Sequence, residues 1–172
     1  DKDYMEKDYM ANKKLPAPRS LGRMLNFATG ECNALCQAML SPHGLSLPQW
    51  VLMSALWRED GLTIGDLAAY TGNNAPATSR IVDRMIEKGL LNRTADRQDR
   101  RSVRITLTSD GRKLDHLATF FLDVNAILTD GFSQDEQAAI FDLLRRVERN
   151  ADRRKKSQVK AAHAAAVPKD PS

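Results

Sequence analysis

The chain has little of what catalytic, secreted or membrane proteins depend on. Its 172 residues include two cysteines, three histidines, nine glycines and seven prolines, and 6% are aromatic. Two cysteines cannot build a disulfide framework, so the expected setting is a reducing cytoplasm. His43, His116 and His163 are scattered and share no metal-ligand spacing. No glycine-rich phosphate cradle occurs, and no serine or cysteine has a base and an orienting acid at a recognisable spacing. An enzyme, a metal and a cofactor are therefore not expected. The densest apolar run, near residues 120–124, is interrupted by Asp123 and falls far short of the ~18 apolar residues that cross a bilayer. The opening Asp1-Lys2-Asp3 is charged, so neither a secretory signal nor a membrane partner is expected.

What is present suits one domain of ordinary size: 42% of residues are hydrophobic and 28% charged. The formal charge of +4 is unevenly spread. Residues 73–104 carry eight basic and four acidic side chains, and residues 145–172 carry nine and three. Residues 105–144 are acidic, with two basic against seven acidic groups. Two local positive patches point to a polyanion more strongly than the overall charge does.

Periodicity divides the chain into arm, helices and a small sheet. Residues 1–19 contain the near-repeat Lys2-Asp3-Tyr4-Met5 and Lys7-Asp8-Tyr9-Met10, then Pro16 and Pro18, and read as a flexible arm. From Ser20, apolar residues at steps of three and four run through Leu21, Met24, Leu25, Ala28, Cys32, Leu35, Cys36, Met39 and Leu40. Residues 20–46 thus read as helical, with Pro42 and Gly44 ending the run. A mostly buried helix is expected from Pro48 to about Glu59, and a short one capped by Thr63. Thr71-Gly72-Asn73 is turn chemistry, and Asn74 caps a helix that ends at Lys88-Gly89. Leu90–Thr94 and Val103–Leu107 have strand composition, with Val103, Ile105 and Leu107 facing inward.

A long helix is expected from Ser109, or Thr108, through Leu128, and a last one after the capping box Ser133-Gln134-Asp135-Glu136. Residues 109–150 hold these last two helices. Residues 151–172, basic and alanine-rich, are expected to fray into disorder, and the basic run from Arg145 to Lys160 is expected either to add non-specific DNA affinity or to keep the last helix soluble. The fold class is mainly α with a small two- to three-stranded β wing, a winged helix-turn-helix over residues 47–108 joined to long outer helices.

In such a unit the second helix enters the major groove of duplex DNA. Thr78, Ile81, Val82 and Met85 form its core face, leaving Asn74, Pro76, Ala77, Ser79, Arg80 and Arg84 outward. Arg80 can reach a guanine edge or a phosphate, and Pro76 and Ala77 allow close approach. Asn74 and Ser79 suit phosphate oxygens at the helix N-terminus. Arg97, Arg100 and Arg101 at the hairpin tip, with Arg104 behind them, suit the minor groove. Asp96 and Asp99 can orient these arginines, and Asp83 can pair with Arg100 or Arg101.

The runs Leu62-Thr63-Ile64-Gly65-Asp66-Leu67-Ala68, Ser79 to Leu91, Asp96 to Arg101 and Leu107-Thr108-Ser109-Asp110-Gly111 resemble the MarR family of transcriptional regulators. The resemblance covers about residues 20–149. It implies an obligate homodimer whose outer helices, residues 20–46 and 109–150, interlock as a helical dimerisation region, a repressor's role at a pseudo-palindromic operator, and a cleft for a small aromatic or phenolic inducer. The first, second and fifth helices of the family line that cleft. Here they supply Met24, Phe27, Trp50, Met53, Trp57, His116 and Phe120, with Arg23 or Arg58 adding charge.

Some relatives sense oxidants through a cysteine near the start of the first helix. Cys32 and Cys36 lie late in it, at a spacing that reads first as packed hydrophobes. Thiol-based redox sensing is the alternative reading, and a winged-helix protein-interaction module is another. The arginine-rich tip argues against the latter.

Overall fold

Local capping starts nearly every helix of this chain. The computed structural model describes residues 20–95 and 103–166, with side chains as far as Val159. The arm and residues 96–102 and 167–172 lie outside the described residues. Ser20 caps α1, Leu21–Leu40, its hydroxyl accepting from the Arg23 amide. A 3₁₀ turn, Ser41–His43, follows. Helix α2 is Leu47–Arg58, one residue earlier than expected, because Ser46 and Gln49 cap it reciprocally.

Strand β1 is Leu62–Thr63, followed by α3, Ile64–Thr71, and α4, Ala75–Glu87. Gly72, at φ +70°, makes the left-handed turn between those two helices. Strands β2, Leu91–Ala95, and β3, Val103–Leu107, pair antiparallel, and β3 also pairs with β1, giving the order β1-β3-β2. Leu91 sits opposite Leu107, and Arg93 opposite Ile105. Ile105 and Leu107 are buried as the alternation predicts, but Val103 is exposed. It pairs with Ala95 at the far end of the hairpin, where β2 itself buries nothing.

The long helix expected from Ser109 is broken in three. Helix α5 is Ser109–Lys113, Asp115–Thr119 is a 3₁₀ segment, and α6 is Phe120–Leu128. Two indoles from α2 account for the break. Trp57 donates to the Gly111 carbonyl at 3.0 Å and Trp50 to the Leu117 carbonyl at 2.8 Å. The Leu117 amide meanwhile bonds back only three residues, to Leu114.

By packing, the chain divides into two units, residues 1–124 and 125–172, with the boundary inside α6. The core of the first unit gathers Leu40, Leu45, Leu52, Leu56, Leu67, Val82, Met85, Leu91 and Ile105, all nearly inaccessible to water. Each such side chain contributes about 1.5–3 kcal/mol by leaving water. Buried Gln49 is satisfied: it accepts from the Ser46 amide and from the Lys88 ammonium, which also donates to the Gly44 carbonyl at 2.6 Å.

In the second unit, Ser133 and Glu136 form the expected capping box of α7, Gln134–Ala166. The helix does not stop at Asn150. It continues through residues expected to be disordered, because 151–166 contain no glycine or proline, six are alanine, and Asp152 pairs with Lys156 one turn on. No described helix is long and apolar enough to cross a membrane.

Candidate nucleic-acid interface

The α3–turn–α4 unit is held by side chains local in sequence. Thr63 caps α3, and its amide and hydroxyl both donate to the Asp66 carboxylate, at 3.0 and 2.7 Å. These bonds hold Asp66 below the ordinary carboxylate range. Asn74 caps α4, its side-chain oxygen accepting from the Ala77 amide at 2.9 Å. Thr78 is fully buried, its hydroxyl donating to the Asn74 carbonyl. With Val82 and Met85 it anchors α4, and Ile81 is half-buried beside them.

The outer face of α4 follows from this. Asn74, Pro76, Arg80 and Arg84 are exposed, and Ala77 and Ser79 are half-buried. Arg80 and Arg84, one turn apart, make no hydrogen bond or ion pair with any described residue. Arg97, Arg100 and Arg101, with Asp96 and Asp99, lie outside the described residues. Arg104 is described: its guanidinium donates to the Gly61 carbonyl at 2.8 Å, bracing β3 against the turn before β1.

Sequence reasoning passed over Arg93. From β2 its guanidinium reaches the Asp83 carboxylate at 2.7 Å and the Ser79 hydroxyl at 3.3 Å. Asp83, expected to pair with Arg100 or Arg101, thus has Arg93 as its described partner. One arginine ties the wing to the outer flank of α4. The signal was faint: an arginine at an exposed strand position, fourteen residues after Ser79.

The base of the wing is clamped as well. Thr108 donates to the Gly89 carbonyl at 2.7 Å and accepts from the Gly111 amide at 3.0 Å. Asp60 accepts from the Leu107 amide at 2.9 Å and pairs with Arg112 at 2.7 Å. A Cβ on Gly111 would lie 2.2 Å from the Leu90 carbonyl oxygen, so only glycine fits there.

The expected effector residues are not brought into one cavity. Met53 is fully inside the core, and Phe120 is buried with its ring 5.1 Å from that of Trp50, edge to face. Both tryptophans are half-buried and spend their N–H groups on backbone carbonyls. His116 is exposed, 5.6 Å from His43. Met24 and Phe27 are over three-fifths exposed. Of the seven, Phe27 lines an open concavity of about 550 Å³ together with Arg23 and Asn26, and the Arg23 guanidinium lies 5.1 Å from its ring centre.

Cys32 and Cys36 are both free thiols. Burial, then the neighbouring Cys32, pushes the Cys36 thiol up, away from the reactive thiolate.

A short helix, a left-handed turn, an anchored helix with an arginine-bearing outer face and a hairpin braced to it define a winged helix-turn-helix regulator of transcription. Residues 45–103 match the MarR family model, which places the winged lobe in that family of DNA-binding transcriptional regulators. It is 29% identical over 142 residues to the HTH-type transcriptional regulator TtmR of Methylorubrum extorquens, covering 80% of this chain and 72% of that one. A cysteine-to-serine variant of MarR from E. coli, solved with operator DNA, superimposes with a TM-score of 0.67 at 25% identity, over 74% of this chain and 92% of that one. BpsR of Bordetella bronchiseptica, whose DNA binding is regulated by 6-hydroxynicotinic acid, gives 0.69 at 26% identity, over 78% and 96%.

Proposed function

We propose that the chain is a homodimeric, ligand-responsive repressor that binds a pseudo-palindromic operator. The observation that carries the reading is the outer face of α4. Arg80 and Arg84 project from it without partners among the described residues, while Arg93, Asp83 and Ser79 hold the wing beside it. In the major groove Arg80 would read a guanine edge, with Pro76 and Ala77 allowing close approach. Asn74, Ser79 and Arg84 would meet phosphates, and Arg97, Arg100, Arg101 and Arg104 would supply positive charge at the minor groove. A two-fold dimer places its reading helices about 34 Å apart, one turn of duplex. Bound across a promoter, it would exclude polymerase.

The effector reading rests on chemistry rather than on a formed pocket. Arg23 over the Phe27 ring offers a cation and an aromatic face in one concavity, which suits a flat aromatic acid. The 6-hydroxynicotinic acid that regulates BpsR is a compound of that class.

One assay addresses both readings. Duplexes selected from a random pool on the wild-type protein define its preferred site. Against that site, Arg80→Ala should lose discrimination at one base pair, by about 1–3 kcal/mol, with far less effect on unrelated duplex. A uniform loss at every sequence would make Arg80 a phosphate contact. No selected motif at all would remove the operator reading. Aromatic acids such as salicylate or 6-hydroxynicotinate should lower affinity for the selected site, and indifference to all of them would remove the effector.

A further inference from the structure

The last helix runs one long stretch past the point where its apolar face ends, and that extension is cationic. Ile140, Leu144, Val147 and Ala151 recur at steps of four and three and mark one side of α7. Arg146, Arg149 and Arg153 each follow one of those residues by two positions, which is about 200° around a helix. Arg145 and Lys156 fall in the same sector, so five basic residues form a stripe opposite the apolar side. It extends about 16 Å along the axis at ~1.5 Å per residue. From Arg145 to Lys156 there are seven basic residues against Glu148 and Asp152.

The stripe is open to solvent. Arg145, Arg146, Arg149, Arg153 and Lys156 are all exposed. Arg145 and Arg149 make no hydrogen bond or ion pair with a described residue. Arg146 reaches Asp142 only at 3.9 Å, and Arg153 reaches the Asn150 side chain at 3.5 Å. Lys156 is the one tightly paired, at 2.7 Å to Asp152, and that pair is exposed and exchangeable. Packing therefore gives no reason for this row of charges.

We infer that the α7 stripe is a second duplex-DNA contact, which holds the phosphate backbone without reading bases. Charge complementarity favours this occupant, because a duplex presents one negative charge per about 1.7 Å of its axis, dense enough to engage every member of the row. A lipid surface fits less well. Between Glu148 and Val159 the apolar side chains are alanine and a single valine, with no tryptophan, phenylalanine or leucine to enter the headgroup layer. The stripe's contact is separate from base reading by α4, and either can fail alone.

The test uses the full chain, a mixed-sequence duplex without the selected site, and the variant Arg145→Gln, Arg149→Gln, Arg153→Gln. Glutamine keeps helix propensity, so far-ultraviolet circular dichroism should be unchanged. Each neutralised phosphate contributes about 0.9 to the slope of log affinity against log salt, so the variant's slope should be shallower by about 2.7. The matching Arg→Lys variant should keep the wild-type slope. A glutamine variant with the wild-type slope overturns the inference, and so does a lysine variant that loses as much as the glutamine one. Arg80→Ala should leave most of this salt-dependent term standing. If it abolishes the term, the contact belongs to α4 alone and the stripe is idle. Binding to phosphatidylserine vesicles that the glutamine changes abolish, with duplex binding untouched, would assign the stripe to membranes and also overturn it.

Discussion

At the scale of single residues, Gly111 shows how a motif acquires a physical reason. Leu107-Thr108-Ser109-Asp110-Gly111 is legible in the sequence as a family mark, but why its last residue is glycine is not. The structure answers with the 2.2 Å gap to the Leu90 carbonyl oxygen and the 3.3 Å gap to a Leu107 methyl. Backbone cannot move aside as a side-chain tip can. Gly111→Ala should therefore cost at least ~1–3 kcal/mol of unfolding free energy, the usual range for overpacking. Gly30, inside α1 with nothing within 4 Å of its would-be Cβ, is the control. Gly30→Ala should stabilise by about 0.5–1 kcal/mol. Urea unfolding of the two variants beside wild type decides, and a Gly111→Ala chain as stable as wild type would refute the packing account.

At the scale of elements, the caps were readable and the breaks were not. Ser20, Thr63, Asn74 and Ser133 each cap through a residue three positions on, so the whole device lies in a short window of sequence. The interruption after Lys113 depends on indoles 54 and 67 residues away, and the Arg93 brace depends on how the hairpin lies on α4. Neither has a local signature. The continuation of α7 past Asn150 was hidden by composition: a basic, alanine-rich run reads as a tail until its one-turn pairings are counted.

The α3 cap carries a consequence for pH. Because Thr63 holds the folded Asp66 below its ordinary value, the capping contribution is present above the unfolded carboxylate pKa. It is lost as pH falls through the lower folded one. An NMR titration of the Asp66 carboxyl should show a midpoint below the usual ~3.9, and Thr63→Ala, which removes the hydroxyl donor but keeps the amide, should raise it part of the way back. A normal midpoint in the wild-type chain would contradict the cap.

At the scale of the whole molecule, each unit leaves apolar surface uncovered. In the first, Leu21, Met24, Phe27, Phe121 and Leu122 are roughly half exposed or more. In the second, Ile127, Leu128, Phe132, Phe141, Leu143 and Leu144 are all at least two-fifths exposed. The periodicity of residues 20–46 and 109–150 foretold helices with more apolar surface than a lone winged helix needs. A second copy is the economical cover. Sedimentation equilibrium should give the mass of two chains, and Phe141→Lys with Leu144→Lys should shift it toward one. A monomeric wild-type chain at micromolar concentration would end the dimer reading, while leaving the winged lobe's own DNA contacts to be tested separately.

The two tryptophans, already assigned to holding a helix break, make the protein its own spectrometer. Their indole protons end on two carbonyls of one broken helix, Gly111 in α5 ahead of the 3₁₀ segment and Leu117 within it. A nitrogen–proton correlation spectrum of this chain therefore contains two indole signals, one reporting on the stretch before the break and one on the 3₁₀ segment itself. A disturbance that shifts only one signal bends the segment. One that shifts both moves the helix from which the two rings project.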